Sequence, residues 1–311
     1  MNGFSRFVLK LLLISTLVSC NANASDIKPG GQNLTGTLEF GGISRTYQLH
    51  LPPLQTRKSL PLMVALHGGQ GNGIGMSKLT SLGTLADREG FAVVYPDGVA
   101  KQWADGRGTT EPEKMGVNDV AFLSSLVAEL SQKYRIDAAR VYATGISNGG
   151  FMTARLACEA SNVFAAVAVV AATMPQSVYS SCKPARVVPF LLMHGSADTF
   201  VSEAGGIMTK GDGGLIASTT QTVQLIRGLN GCSSTPATSI INPVNDGTSV
   251  KLERYSGCLA GSEVLFYNIE NGGHTWAGGL QYLPAIIIGK TSQDINASST
   301  IWSFFADHPK P

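Results

Sequence analysis

The sequence predicts an α/β domain in which a mostly parallel central sheet is covered by helices on both faces. Three observations point there. Short, continuous apolar runs at Leu60–Leu66 and at residues 91–95, 141–144, 187–193 and 264–269 suit strands buried on both sides. Stretches with helical spacing alternate with them, which is the pattern of strand–helix–strand units. The chain has 311 residues, 43% of them hydrophobic and only 14% charged, so it can bury a single large core and is far too apolar for a disordered chain.

Taken in order, the N-terminus comes first. Arg6 precedes an apolar run from Phe7 to Val18, broken by Lys10 and too short to span a bilayer, and small residues follow it. Residues 1–24 therefore read as a signal peptide. Two processing outcomes stay open: Leu17-Val18-Ser19-Cys20 has the form of a bacterial lipobox with Cys20 lipidated, and Ala22-Asn23-Ala24 fits cleavage to a soluble product. Either outcome implies export, to the periplasm, the medium or the outer surface, with a lipid anchor at Cys20 in the first case and no membrane span in the mature chain. Residues 25–311 remain as one domain. Leu38 and Phe40, the Gly41-Gly42 turn, and Tyr47, Leu49 and Leu51 on alternate positions predict a hairpin at its start. Asn118-Asp119 offers an N-cap to a helix with Val120, Leu123, Val127, Leu130 and Tyr134 on one face. A C-terminal helix carrying Ile301, Trp302 and Phe305 stops at Pro309.

Charge and cysteine content narrow the function classes. Without Arg6 and Lys10 the chain has 21 basic and 21 acidic residues and no basic cluster, which argues against nucleic-acid binding. An exported chain would oxidise Cys158, Cys182, Cys232 and Cys258. Three connectivities exist; the sequence-local one, Cys158 with Cys182 and Cys232 with Cys258, closes two loops of similar size. The spacing lacks C-x-x-C and a His-rich neighbour, so it does not read as a zinc site.

The chemistry centres on Gly145-Ile146-Ser147-Asn148-Gly149. In a chain with 36 glycines this G-x-S-x-G pattern is weak alone, but a buried run precedes it and a helical stretch follows, the context of a nucleophile on a sharp strand-to-helix turn. A serine needs a base to take its proton and a carboxylate to orient that base. Of five histidines, His274 lies in a Gly-rich loop beyond the last predicted strand, while His67 and His194 end buried runs and read as structural. Asp198, just after the 187–193 run, completes the chain order Ser147, Asp198, His274 of the α/β-hydrolase fold. Asp97 precedes the serine and reads as a turn residue. An oxyanion needs backbone donors: the N–H of Asn148 and that of Gly69 or Gln70, in the loop Leu66-His67-Gly68-Gly69-Gln70-Gly71, which resembles the HGGG-type motif of esterases.

With these blocks placed, the chain resembles the secreted poly(3-hydroxybutyrate) depolymerase and feruloyl esterase family of α/β-hydrolases. The matching stretches are 61–71, Tyr95-Pro96-Asp97-Gly98, 141–151, 194–201, Asn230-Gly231-Cys232, 272–279 and 295–309. The resemblance implies a Ser147/Asp198/His274 triad, hydrolysis of carboxylic esters, and no metal or organic cofactor. Trp103-Ala104-Asp105-Gly106-Arg107 stands where the family commonly has Trp-Asn-Asp-Gly-Arg, and Ala277 replaces a usual Pro. The loops 98–117 and 205–214 read as long, polar segments of a substrate rim, with Trp103 and Trp276 as a candidate aromatic wall. No long apolar insertion of the kind that makes a large lid stands out, so an open cleft is expected. The reading is a serine esterase for hydroxyalkanoate polyesters or oligomers. Its alternatives are a feruloyl or acetyl esterase for plant polysaccharides and a non-catalytic binding lipoprotein on the same scaffold.

Overall fold

The computed structural model describes residues 31–53 and 59–311; the expected signal peptide, the lipobox and Cys20 lie outside the described residues. Twelve strands and nine helices follow one another among them. In chain order the strands are β1 (Gln32–Phe40), β2 (Ile43–Leu51), β3 (Leu60–Leu66), β4 (Ala92–Pro96), β5 (Ile136–Ile146), β6 (Ala166–Val170), β7 (Phe190–Gly195), β8 (Gly206–Ile207), β9 (Leu215–Ile216), β10 (Ala237–Ile241), β11 (Ser249–Tyr255) and β12 (Val264–Glu270). The helices are α1 (Gly73–Thr80), α2 (Leu82–Glu89), α3 (Glu111–Lys114), α4 (Asp119–Tyr134), α5 (Asn148–Glu159), α6 (Gln176–Ser181), α7 (Thr219–Leu229), α8 (Ala285–Ile288) and α9 (Ala297–Ala306).

Ten strands make one sheet in the order β1-β2-β4-β3-β5-β6-β7-β12-β11-β10. The six from β4 to β12 run parallel, and antiparallel strands extend both edges. Buried residues form two apolar clusters that divide alternate positions of the same strands: Leu62, Val64 and Leu66 in one, Met63 and Ala65 in the other. That division is why these strands read as unbroken apolar runs.

The hairpin forms with its turn at Gly41-Gly42. Asn118 caps α4, its side chain accepting from the Ala121 N–H at 3.0 Å. The sequence reading places the seventh strand too early: Pro189 has no N–H for the ladder, and Val188 is instead held by the Asn230 side chain. It also omits β6, Ala-Val-Ala-Val-Val, a five-residue run that is buried throughout and whose three valines suit a strand.

Two disulfides join the sequence-local pairs, Cys158 to Cys182 and Cys232 to Cys258. The first ties the C-terminal end of α5, the helix that begins beside Ser147, to the residue following α6. Each closes a loop of 24 or 26 residues, so reduction should lower stability by about 2 to 5 kcal/mol per bridge. Urea unfolding with and without reductant measures this; four reactive thiols in the native protein would contradict it.

Candidate active site

Parallel strands deliver their C-terminal ends, and the residues that follow them, to one edge of the sheet. Ser147 follows β5 there with φ 56° and ψ −122°, a strained conformation for a residue with a Cβ. The turn is possible because the chain packs against itself at glycine. A Cβ on Gly145 would meet the Gly149 carbonyl oxygen at 2.3 Å, and one on Gly149 would meet the Leu66 oxygen at 2.4 Å. These contacts give G-x-S-x-G a steric reason in this chain.

Asp198 follows β7 in a tight turn. Its Oδ1 accepts the N–H groups of Phe200 and Val201 at 2.8 and 2.9 Å, and its Oδ2 lies 2.8 Å from His274 Nδ1. The Asp198 side chain is fully buried and that of His274 nearly so. Burial alone would raise the Asp198 carboxyl, but attraction to His274 and the hydrogen bonds from His274 and Val201 outweigh it and hold the group below the usual carboxylate range. Asp198 therefore remains ionised at neutral pH. The His274 loop is anchored at its carbonyl, which accepts the Tyr282 hydroxyl at 2.6 Å.

Ser147, Asn148, Gly69 and His274 line one cavity of about 470 Å³. Ser147 Oγ and His274 Nε2 make no hydrogen bond with any described residue, leaving a hydroxyl and a ring nitrogen open in the same cavity. The N–H groups of Gly69 and Asn148 also lack acceptors among the described residues. Gln70 N–H is committed to the Lys101 carbonyl at 2.9 Å, so of the two N–H groups expected as the second donor only that of Gly69 is open among the described residues. Much of the remaining wall is apolar, with Met76, Leu79, Phe200, Met208, Leu283 and Ile288 in it.

The other polar candidates have structural work. His67 accepts the Gly98 N–H on Nε2 at 3.0 Å, which leaves Nδ1 to donate to the Gly68 carbonyl at 2.7 Å. Burial lowers its pKa, so it is held neutral. His194 contacts the Val201 carbonyl through Nε2 at 3.0 Å and braces the Asp198 turn. Asp97 accepts from the Gly73 N–H and the Thr46 hydroxyl and takes no part in the cavity wall.

The aromatic wall is not there. Trp103 and Trp276 are fully buried, and neither lines the cavity. Trp103 donates from its indole N–H to the His67 carbonyl at 2.9 Å, and Trp276 to the Ser298 hydroxyl at 3.0 Å. Each has an apolar body in the core and a satisfied donor, which favours burial over a rim position. The loop 98–117 is likewise not a loose rim: it contains α3 and buries Trp103, Ala104 and Asp105. The wall comes instead from the 205–214 loop, through Met208, Gly211 and Asp212, and from residues 280–288, through Tyr282, Leu283 and Ile288. Sequence reading passed over this last stretch, although nine consecutive residues without a charge were visible in it.

Residues 45–204 match the family model described as Esterase PHB depolymerase. The chain is 31% identical over 280 residues to the putative esterase NocK of Nocardia uniformis subsp. tsuyamanensis, covering 85% of this chain and 79% of that protein. It is 27% identical over 281 residues to feruloyl esterase D of Neurospora crassa, covering 85% and 87%. Among solved structures, the acetyl xylan esterase from Aspergillus awamori superposes with a TM-score of 0.58 at 16% identity, over 88% of this chain and 99% of that one, a likeness of fold.

Proposed function

The chain belongs to the Esterase PHB depolymerase family and is a carboxylic ester hydrolase, and from that premise we propose that Ser147, His274 and Asp198 are its catalytic triad. The observation that carries the proposal is the His274–Asp198 contact at 2.8 Å in a cavity shared with a serine on a strained turn. Ser147 Oγ attacks the ester carbonyl as His274 Nε2 takes its proton. Asp198, ionised, fixes the Nδ1–H tautomer and stabilises the imidazolium. The negative oxygen of the tetrahedral intermediate is held by the N–H groups of Asn148 and Gly69. Collapse breaks the bond to the alcohol oxygen, which leaves with the His274 proton. Water, deprotonated by His274, then attacks the acyl-enzyme; Ser147 departs with that proton and the acid is released.

For the substrate, the proposal is a hydroxyalkanoate polyester or its oligomers. The apolar wall and the charge-free 280–289 segment support it: Leu283 and Ile288 of that segment line the cavity, and Leu280, Leu283, Ile286 and Ile287 are exposed. Arg107, the cation in the wall, is occupied by Asp105 and the Gly213 carbonyl, so it is not open to an anionic substrate group. The second reading, esters of ferulate or acetate on polysaccharides, is favoured by the relationship to feruloyl esterase D. Hydrolysis of 3-hydroxybutyrate oligomers compared with methyl ferulate separates the two. Faster turnover of the oligomers is expected, and cleavage of neither would sink both. Export through a leader at residues 1–24 belongs to this proposal, and the two disulfides fit an oxidising compartment.

A further inference from the structure

The segment Trp103-Ala104-Asp105-Gly106-Arg107 is a motif that the triad leaves unused, and it sits against the oxyanion donors. Asn148, which follows the nucleophile, is 2% exposed, and its side chain is fully engaged with this segment. Its Oδ1 accepts the Trp103 N–H at 2.8 Å, and its Nδ2 donates to the Trp103 carbonyl at 3.1 Å and to Asp105 Oδ2 at 2.6 Å. Asp105 is entirely buried and also holds Arg107: the Nε contacts both carboxylate oxygens, at 3.2 and 2.9 Å, and NH2 lies 2.8 Å from Oδ2. Arg107 in turn donates from NH1 to the Gly213 carbonyl at 2.8 Å and stacks over the Phe151 ring of α5, 4.6 Å from its centroid.

The same loop holds the other donor strand. Lys101 takes the Gln70 N–H, Gly98 donates to His67, and Trp103 donates to the His67 carbonyl. One loop therefore grips both sides of the oxyanion site: the His67–Gln70 turn through its first half and Asn148 through its second.

We infer that Asp105 is a positioning residue for ester hydrolysis: its carboxylate, balanced by Arg107, locks the Asn148 side chain and through it the direction of the Asn148 backbone N–H toward the developing oxyanion. Asp105 does not touch the reacting atoms. It acts because a buried carboxylate with a paired guanidinium can accept a short, charge-assisted hydrogen bond from the Asn148 amide, and this bond restrains the first residue of α5. An oxyanion donor is effective only when aimed at the place where charge develops, so a small rotation costs transition-state binding and leaves ground-state binding almost untouched. The inference rests on the reading of Ser147 as nucleophile.

The test uses Asp105→Asn and Asn148→Ala in the full chain. The second variant keeps the backbone N–H and leaves the Asp105–Arg107 pair intact, so it answers the question even where Asp105→Asn fails to fold. Kinetics on p-nitrophenyl butyrate are compared with the inhibition constant of phenylboronic acid, whose serine adduct is tetrahedral and anionic. A misaimed donor should lower kcat by about 10- to 100-fold, less than outright loss of a donor, with KM changed less than about 2-fold. The boronate constant should rise in step with the loss in kcat. Folded Asn148→Ala with wild-type kcat and boronate affinity overturns the inference, as does a lower kcat with unchanged boronate affinity. A wild-type protein that neither turns over ester nor binds boronate overturns the parent reading and the inference with it.

Discussion

Replacing Ser147 by alanine is expected to lower kcat for p-nitrophenyl butyrate by about a million-fold, the scale seen when other serine hydrolases lose their nucleophile. Every step of the proposed reaction passes through the bond between Ser147 Oγ and the acyl carbon, and the open cavity has no second hydroxyl in an equivalent turn. The fold should not notice the change. Ser147 Oγ has no hydrogen bond with any described residue, and alanine retains the Cβ that already tolerates φ 56° in this turn. Wild-type and variant should therefore melt within a few degrees of each other, and a serine-directed phosphonate should label only the wild type, on Ser147. An alanine variant that retains the wild-type rate would falsify the triad.

The second large effect concerns Asp198→Asn, for which a loss of about 10⁴-fold in kcat is expected. The two carboxylate oxygens have different duties here. Oδ1 is taken by two backbone N–H groups, from Phe200 and Val201, so an asparagine at this position must put its carbonyl oxygen there. Its NH2 group then faces His274 Nδ1 across the present 2.8 Å contact. Nδ1 has to become the acceptor, which moves the ring proton to Nε2 and turns the base into a donor toward Ser147. The imidazolium would also lose its counter-charge. Steady-state kinetics together with a melting curve check this: a folded Asp198→Asn protein within tenfold of wild type would remove Asp198 from the mechanism.

Asp198 also makes a contribution to stability with a definite sign. Its carboxyl is held below its unfolded value, so its stabilisation is complete above the ordinary carboxylate range and is lost as pH falls through the lowered folded value.

Comparison of particular residues shows where the sequence was readable. That Ser147, Asp198 and His274 each follow a strand was legible because strand ends are marked by the change from apolar run to Gly-containing loop. The disulfide partners were narrowed by loop size, a local property. Trp103 and Trp276 misled because a tryptophan in a polar, Gly-rich loop looks like a rim residue. Their burial depends on acceptors far away in sequence, the His67 carbonyl and the Ser298 hydroxyl. That the Gln70 N–H is bonded depends on a contact with Lys101, 31 residues beyond Gln70, which no local pattern encodes.

By itself, then, the sequence determined the alternation of buried strands and amphipathic helices, the family resemblance, and three chemically apt residues in the order their fold requires. These follow from side-chain periodicity and from the backbone freedom of glycine, which act over a few residues. Only the tertiary structure decided that His274 and Asp198 meet across 76 positions, that Gly69 keeps a free N–H while Gln70 does not, and that the 280–288 stretch walls the cavity in place of the tryptophans. Those outcomes depend on which distant groups satisfy each other's hydrogen bonds once water is excluded, and that pairing exists only after the sheet has assembled.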